Sequence, residues 1–498
     1  MAVLVGVDVG TSGTRALAVT TERELLAEAT RPHELSSPRP GWTEQQPGEW
    51  WHACKDVLAE VAAAGGEIVG LGITGQMHGS VFLDPSGAVI RPALLWNDQR
   101  TAAECDEITA RVGEQRLLEL AGNPALTGFQ APKILWLARN EPDAYARVAS
   151  VLLPKDYVRF ELTGERATDA SDAAGTLLLD VRARDWSDEI LAALEIPRSW
   201  LPRVYEGPEP TGTVRDGVAD ELGLPRGLPV AAGGGDNAAA AVGVGVVQEG
   251  SVSTSIGTSG VLFAHRDEFT PDASGRVHAF CHAVPDAYHL MAVTLSAGGS
   301  LSWWREQLGG GASFEELVDE AEAIEPGAEG LLFLPYLTGE RTPHLDPHAR
   351  GAFVGLTVRH GRAHMTRAVM EGVAFSMRDG LEIMRGLGTP DDDLRAVGGG
   401  ARSPLWLRLQ AEVYGRAIRR TEVDEGPAYG AALLGGVAAG VFADVAEASS
   451  RVRLRAEVTE PDGERARRYD ELHAVYASLY GALREQMHEL AQSRPGVA

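Results

Sequence analysis

Cysteine is scarce in this sequence, with only Cys54, Cys105 and Cys281 among 498 residues. The three lie far apart, are odd in number and lack the spacing of metal ligands, which argues against a disulfide framework or a cysteine metal site. The pattern is typical of buried thiols in a reducing compartment, so we expect a cytoplasmic protein.

Positive charge is also under-represented. Lys and Arg number 45 against 70 Asp and Glu, which gives a formal net charge of −25. So acidic a surface repels polyanions, and neither nucleic acid nor an anionic membrane is an expected partner. A small anionic ligand remains compatible with this charge, because a local site can differ from the average surface.

Long hydrophobic runs are missing as well. The first ten residues, MAVLVGVDVG, have no basic start and carry Asp8 where a signal peptide would have its cleavage region. The longest uncharged runs, such as residues 426–443, are rich in Gly and Ala and are too short and too weakly apolar to cross a membrane. We therefore expect neither a secretion signal nor a membrane span.

Strand-like and helical patterns alternate along the chain. Residues 3–9 are apolar, and the turn at 10–13 leads into extended runs over 15–20 and from Leu25, which predicts an antiparallel meander. Helical spacing over 49–64 stops at a pair of glycines, and residues 68–73 are again strand-like. This mixture predicts the α/β class.

The turn Gly-Thr-Ser-Gly occurs twice, at residues 10–13 and 257–260, each time between two apolar strand patterns. Two such hairpins half a chain apart indicate a duplicated domain. We predict two α/β domains, residues 1–245 and 246–498, with a charged, helical tail after about residue 455.

These turns have a composition that is typical of phosphate-binding loops. Small residues in a tight hairpin expose backbone N–H groups, and the hydroxyls of Thr11 and Ser12 add donors, although a plain hairpin is the alternative. Asp8 ends the first strand, and a carboxylate there would repel a phosphate unless a cation lay between them. Mg²⁺ suits that place, since it takes few carboxylates; a simple turn residue is the alternative.

The longer motifs resemble those of the FGGY carbohydrate kinases, a family of the sugar kinase, Hsp70 and actin superfamily. They run in the family's order from residue 6 to beyond residue 430. The N-terminal signature, residues 128–136, departs from the family pattern only at Gln130. The stretches are GVDVGTSGTRALAV, GITGQMHG, RPALLWNDQR, LLPKDYVRFELTGE, SDAAGT, AAGGGDNAAAAVG, SIGTSG, FLPYLTGERTPH, the signature over residues 351–371, and VGGGARSPLW.

The resemblance implies a fold and a reaction. We expect two actin-like, ribonuclease H-like domains flanking a cleft, with sugar against residues 1–245, ATP against residues 246–498 and Mg²⁺ between them. The branch of the family that this chain is most similar to phosphorylates D-xylulose. A kinase for ribulose, another ketose or a polyol is the near alternative, and an actin- or Hsp70-like nucleotide switch is the distant one. The sequence does not show the oligomeric state, and a homodimer is compatible with the resemblance, since relatives are often dimers.

Asp236 is the one charge in the stretch VAAGGGDNAAAAVGVGVV. The glycines before it let a substrate approach the backbone, and the Ala-rich helix that it begins favours the ionised carboxylate. A plain helix cap is the alternative. The resemblance makes Asp236 the catalytic base, which takes a proton from the sugar hydroxyl, and makes Asp8 its catalytic partner. Both are expected metal ligands.

The resemblance also assigns the other contacts. Met77 would pack against the carbon face of the sugar and His78 would bond its hydroxyls or carbonyl, with Asn237 beside them. Trp96 and Asp156 complete the expected sugar contacts. The expected ATP contacts are Thr11, Ser12, Gly257, Thr258, Gly399, Gly400 and Ala401, the last three as a ledge for adenine. The polar loop at residues 340–344 either reaches toward the phosphates or stabilises itself, and both possibilities stay open.

Overall fold

The structure, a computed structural model, describes residues 1–422 and 426–492. These residues form two halves, each built around a seven-stranded mixed sheet with helices packed on it. The first sheet uses strands up to residue 235 and the second uses strands from residue 251, so the expected boundary near residue 245 lies between them. The predicted α/β class is confirmed.

The first half begins with the predicted meander. Its first strand is buried on both faces because helices cover both sides of the sheet. The strands are β1 (Ala2–Val9), β2 (Gly13–Thr20), β3 (Leu25–Pro32), β4 (Glu44–Gln45), β5 (Glu67–Gly75), β6 (Val81–Leu83), β7 (Ala93–Leu94), β8 (Ser150–Leu152), β9 (Ala167–Asp169), β10 (Leu179–Asp180), β11 (Asp185–Trp186), β12 (Arg203–Tyr205), β13 (Pro210–Thr213), β14 (Pro229–Ala231) and β15 (Gly234–Gly235). The helices are α1 (Pro47–Ala62), α2 (Ala102–Val112), α3 (Glu114–Ala121), α4 (Gln130–Asn140), α5 (Pro142–Tyr145), α6 (Pro154–Thr163), α7 (Ala170–Ala174), α8 (Asp188–Leu194), α9 (Asp216–Leu222) and α10 (Asp236–Gly243).

The second half repeats the hairpin and then adds longer helices. Its strands are β16 (Ser251–Ile256), β17 (Gly260–Arg266), β18 (His278–Cys281), β19 (Tyr288–Thr294), β20 (Leu332–Leu334), β21 (Ala352–Val354), β22 (Asp393–Val397), β23 (Ile418–Thr421) and β24 (Leu454–Thr459). The helices are α11 (Gly298–Gln307), α12 (Phe314–Glu322), α13 (Arg362–Gly386), α14 (Pro404–Tyr414), α15 (Gly426–Ala438), α16 (Val445–Ser450) and α17 (Gly463–Gln492). Short 3-10 turns lie at Arg198–Trp200, Ala328–Gly330 and Gly399–Arg402.

The two sheets share a local topology. In the first, β1 pairs antiparallel with β2 and parallel with β5, in the order β13-β14-β5-β1-β2-β3, and the seventh strand, β15, also pairs with β5. In the second, β16 pairs antiparallel with β17 and parallel with β22, in the order β18-β19-β17-β16-β22-β23-β24. Each sheet therefore has a hairpin strand next to a parallel strand, as a duplication predicts.

Helices α10 and α15 pack against each other between the halves, and α15 lies on strands β1 and β5 of the first sheet. The approach is close enough to require glycine. A Cβ atom at Gly72 would lie 1.8 Å from the carbonyl oxygen of Ala431, and one at Gly430 would lie 1.7 Å from that of Ala239. A helix from late in the chain thus covers the sheet formed by its beginning.

The C-terminal region differs from the expectation of a purely helical tail. Strand β24 first extends the edge of the second sheet by pairing antiparallel with β23, and only then does α17 begin. Within the described residues, no helix has both the length and the apolar character needed to cross a membrane. The three cysteines are buried free thiols.

Candidate active site

A cavity of about 290 Å³ lies between the two halves. Its wall combines apolar side chains with a small number of polar groups, as is usual for sites that bind small molecules. From the first half it is lined by Met77, His78, Trp96, Leu126, Gly128, Phe129, Asp236 and Asn237, and from the second by Ser259, Val261, His278, Met291, Val293, Leu295 and Arg341.

Asp236 is the first residue of helix α10, in its first turn rather than at its cap, which is Gly235. Its Oδ1 accepts hydrogen bonds from the backbone N–H of Asn237 at 2.7 Å and from the Asn237 side-chain Nδ2 at 2.9 Å. Burial raises the pKa of Asp236 to about 6, and these two bonds oppose the rise. The carboxylate is therefore mostly ionised at pH 7, and Oδ2 has no hydrogen-bond donor within the described part of the chain.

The glycines before Asp236 are explained by their contacts. Gly233 has a positive φ of 85°, and a Cβ atom on it would lie 1.7 Å from the carbonyl oxygen of Ile73. The hydroxyl of Ser171 accepts a hydrogen bond from the Gly235 backbone N–H at 3.1 Å, and the Thr74 hydroxyl donates to the Gly234 carbonyl at 2.8 Å. Neighbouring segments therefore fix the backbone that presents Asp236.

Asp8 lies on β1, opposite Thr74 of β5 and Arg15 of β2. Burial, and after it the charge of Asp236, raises the pKa of Asp8 to about 7, while Arg15 opposes the rise. Its buried Oδ1 has no hydrogen-bond partner among the described residues. Two partly buried carboxylates that repel each other, one with a buried and unsatisfied oxygen, fit a bound cation.

No cluster of three or more His, Cys, Asp or Glu side chains in residues 1–422 and 426–492 is arranged to hold a metal ion. Magnesium does not need one, since it keeps several waters and takes one or two carboxylates together with substrate phosphates. Asp8 and Asp236 thus fit Mg²⁺, while the chain offers no closed metal cage in its described part.

His78 lies in the cavity wall with a positive φ of 69°. Its Nδ1 donates to the carbonyl oxygen of Gly175 at 2.5 Å, and the buried Lys133 ammonium holds the His78 carbonyl at 2.9 Å. Burial lowers the pKa of His78 to about 3, so the imidazole is neutral at pH 7. Its Nε2 can then only accept a hydrogen bond, which suits a hydroxyl rather than a carbonyl. Met77 lines the same wall, and its expected contact with the sugar remains a prediction.

The first hairpin is attached to the cavity wall by side chains. The Thr11 hydroxyl donates to Gln76 Oε1 at 3.0 Å and accepts from Trp96 Nε1 at 2.9 Å. The Thr11 carbonyl accepts from Gln45 Nε2 at 2.7 Å. Ser12 is exposed at the tip of this hairpin. The Thr11 hydroxyl already has two hydrogen-bond partners. The phosphate contact expected of Thr11 would therefore be made by its backbone N–H group.

Residues of the second hairpin line both the cavity and a neighbouring groove. Ser259 lines the cavity, whereas the adjacent Thr258 lines a larger groove of about 760 Å³ formed by the second half. Gly257 and Thr258 are exposed, and their carbonyls accept from the first backbone N–H groups around the start of α11. Leu295 lines both spaces, so cavity and groove are neighbours.

The glycine ledge lies apart from that groove. Gly399, Gly400 and Ala401 form a 3-10 turn after β22, and a Cβ atom on Gly400 would lie 2.5 Å from the Cβ of Ile256 at the base of the second hairpin. The adenine contact expected of these residues remains a prediction.

Asp156 is placed away from the cavity lining. It is 1% exposed and its Oδ1 accepts from Lys155 at 2.6 Å and from Arg159 at 2.7 Å. Lys155 also contacts Asp169 at 2.8 Å, in a buried ion cluster behind the active-site glycines. This placement gives no support to the expected sugar contact of Asp156, because its charge is already paired.

Arg341 and His278 were missed as cavity residues by the sequence reasoning. Arg341 belongs to the polar loop whose role was left open. Its neighbour Glu340 is buried and accepts hydrogen bonds from the backbone N–H groups of Leu295 at 2.9 Å and Arg341 at 2.8 Å. Glu340 therefore stabilises the loop, while Arg341 reaches the cavity. The sequence did carry one signal for Arg341, which is a charged residue within FLPYLTGERTPH, a stretch that resembles the family.

Comparison with known proteins places this site in a family. The profiles of the N-terminal and C-terminal domains of the FGGY family of carbohydrate kinases match residues 3–243 and 252–439. The chain is 40% identical over 499 residues to the xylulose kinase of Lactococcus lactis, covering 99% of each, and 42% identical over 482 residues to that of Escherichia coli, covering 96% of this chain and 99% of the relative.

The fold agrees with the sequence matches. A crystal structure of a xyloylose kinase from Brucella ovis superimposes with a TM-score of 0.93 at 41% identity, covering 97% of this chain and 100% of the other. The structure of glycerol kinase from Plasmodium falciparum shares the fold at 22% identity, with a TM-score of 0.88. The predicted actin-like architecture is confirmed, and the chain belongs to the FGGY family of carbohydrate kinases.

Proposed function

We propose that this enzyme transfers the γ-phosphoryl group of ATP to the terminal hydroxyl of D-xylulose, giving ADP and D-xylulose 5-phosphate. The observation that carries the proposal is Asp236, a partly buried carboxylate in the wall of a small cavity that the second hairpin also lines through Ser259. The substrate is suggested by the relatives, which are named xylulose kinases and align over nearly the whole chain.

Asp236 acts as the general base. Its Oδ1 is held by Asn237, so Oδ2 is the oxygen that receives the proton of the terminal hydroxyl. Phosphoryl transfer passes through a loose transition state, in which alignment and charge neutralisation supply most of the acceleration. The fixed start of α10 provides that alignment, since the carboxylate need not reorganise as the proton moves.

Neutral His78 accepts a hydrogen bond from a sugar hydroxyl, and Met77 packs against the carbon chain. The apolar part of the wall, which includes Phe129, Val261 and Leu295, excludes water from the reacting atoms. Dry surroundings strengthen the polar contacts and limit transfer of the phosphoryl group to water.

ATP is proposed to lie along the second half, with its phosphates at Gly257 and Thr258 and at the backbone of Thr11 and Ser12. The adenine is proposed to rest on the turn formed by Gly399, Gly400 and Ala401. Asp8 and Asp236 would hold Mg²⁺, which neutralises charge on the phosphates. The repulsion between these carboxylates supports this assignment.

The test is ADP release by the purified enzyme over a panel of D-xylulose, D-ribulose, L-ribulose, xylitol and glycerol, with Asp236→Asn as the background. We expect kcat/KM for D-xylulose to exceed that for the others by at least about tenfold, because stereochemistry at single hydroxyls is read by hydrogen bonds. A higher kcat/KM for another panel member contradicts the proposed substrate. The homodimer and the cytoplasmic location remain predictions, which sedimentation and cell fractionation would test.

A further inference from the structure

The second half of the chain contributes a cation to the cavity. The Arg341 guanidinium lines the same space as Asp236 and His78, although more than a hundred residues separate it from either in sequence. Its Nη1 donates to His278 Nε2 at 2.9 Å. Within the described residues, Arg341 has no carboxylate at ion-pair distance, so its remaining donors are available to a ligand.

His278 is fixed by a second hydrogen bond. Its Nδ1 lies 2.6 Å from Asn123 Oδ1, and Asn123 Nδ2 donates to the carbonyls of Ala121 at 3.0 Å and Ala279 at 3.2 Å. Because those carbonyls can only accept, the Asn123 amide has one orientation and its oxygen must accept from His278. His278 Nε2 is then an acceptor, as the bond from Arg341 requires.

The His278 and Asn123 side chains are also held by packing. His278 and Asn123 are buried, and the His278 ring stacks on Phe280 with 13° between the planes. The three polar side chains form a directional series in which each bond has a single assignment. Such a series holds a long, flexible arginine in one position.

The polar groups of the wall differ in what they can bind. His78 Nε2 and ionised Asp236 only accept hydrogen bonds, so they pair with hydroxyl groups of a sugar. Arg341 only donates. An open-chain ketose has one oxygen that only accepts, the C2 carbonyl, and a polyol has none. A hydroxyl at C2 could accept from Arg341, but its own hydrogen would then need a further acceptor in a dry wall.

We propose that Arg341 donates to the C2 carbonyl oxygen of the ketose and thereby selects ketoses over polyols, with His278 and Asn123 as positioning residues. The inference rests on the proposed ketose substrate. It assigns sugar recognition partly to the second half, which was expected to serve ATP alone.

The main test is Arg341→Met. We expect kcat/KM for D-xylulose to fall by about 10- to 100-fold, as for loss of a charge-assisted hydrogen bond. The Ki of xylitol as a competitive inhibitor and the KM for ATP should change by less than about threefold, since neither contains the carbonyl. Arg276→Met is the matched control, because Arg276 lies nearby in sequence to His278 and pairs with Asp272 instead; it should leave all three values unchanged.

His278→Phe separates positioning from folding. Phenylalanine keeps the ring stack on Phe280 but removes the acceptor that holds Arg341. We expect a smaller loss for D-xylulose in the same direction, about threefold to tenfold, again without a change for xylitol or ATP.

Equal losses for D-xylulose and xylitol, or a raised KM for ATP alone, would overturn the inference, and so would unchanged kinetics in both variants. The proposed function fails separately, if the unmodified enzyme does not phosphorylate D-xylulose at all.

Discussion

The two hairpins of this enzyme share a Gly-Thr-Ser-Gly turn between antiparallel strands, but they differ in strand register and in the charge that precedes the turn. In the first, Asp8 lies two residues before the Gly-Thr-Ser-Gly turn; in the second, Ser255 occupies that position. The first turn closes with Gly10 N donating to Gly13 O and the second, one residue tighter, with Gly257 N donating to Ser259 O, each at 3.0 Å. The same turn sequence thus follows an acid in one half and a neutral hydroxyl in the other.

The same contrast recurs at the ends of the parallel strands and helices. After β5 come Met77 and His78 at the cavity, whereas after β22 comes the bare glycine turn. Helix α10, after β15, begins with Asp236, and α15, after β23, begins at Gly426. The first half therefore supplies both acids and the side chains proposed to contact the sugar, while the second half adds apolar side chains to the cavity wall together with the charged Arg341.

The shared sheet topology of the two halves does not by itself determine which half supplies the acidic groups. Two copies of one topology acquire different roles through single side chains at equivalent positions. Substitutions that remove those side chains, or exchange them between the two halves, should change the kinetics or the stability of the enzyme, and the size of each change can be measured.

The largest effect is expected from Asp236→Asn, which removes the acid at the start of α10. We expect kcat to fall by about 10²- to 10⁴-fold, the range for loss of a general base. The variant should be at least as stable at pH 7, because a carboxylate whose pKa is raised by burial to about 6 opposes folding when ionised. Steady-state kinetics with thermal unfolding checks both, and near-normal turnover would refute the role of Asp236.

Asp8→Ser makes the first hairpin resemble the second. The expected result is a Mg²⁺ concentration for half-maximal activity at least about tenfold higher, since even groups behind metal ligands have effects of that size. A Mg²⁺ titration at fixed ATP measures it. The reverse change, Ser255→Asp, should instead raise the KM for ATP, and a Mg²⁺ titration unaffected by Asp8→Ser would remove Asp8 from the metal site.

The acids of the first half should also control the pH dependence. The pKa of Asp236 is raised by burial to about 6, so its ionised form is lost as pH falls through that value. We expect kcat/KM at pH 5 to be about tenfold below its value at pH 7. A pH–rate profile at saturating Mg²⁺ tests this, and an acid limb centred near the usual value for aspartate would contradict the burial of the base.

The smallest expected effect concerns how the two hairpins are anchored. Thr11→Val breaks the hydroxyl bonds to Gln76 and Trp96 and should lower the free energy of unfolding by about 1–2 kcal/mol. The equivalent Thr258 is exposed, so Thr258→Val should change that free energy by less than about 0.5 kcal/mol. Denaturant unfolding of the two variants measures both changes. Equal losses of unfolding free energy would mean that both hairpins depend on their threonine side chains.

Much of the fold could be predicted because its signals are local. The apolar run over residues 3–9 became β1, and the paired glycines ended α1 close to the expected residue. The edge strand β24 was missed, since an exposed strand of mixed charge has no clear periodicity and forms only because β23 offers an unpaired edge.

The sequence by itself determined the duplicated α/β halves, the glycine turns and the acid that begins α10, because backbone conformation and hydrophobic periodicity are properties of neighbouring residues. The tertiary structure decided which side chains share the cavity. It paired Asp156 with Lys155, fixed the acceptor face of His78 through Gly175, and brought Arg341 to the cavity through His278. These are contacts between side chains whose partners are set by packing, so no spacing along the chain could specify them.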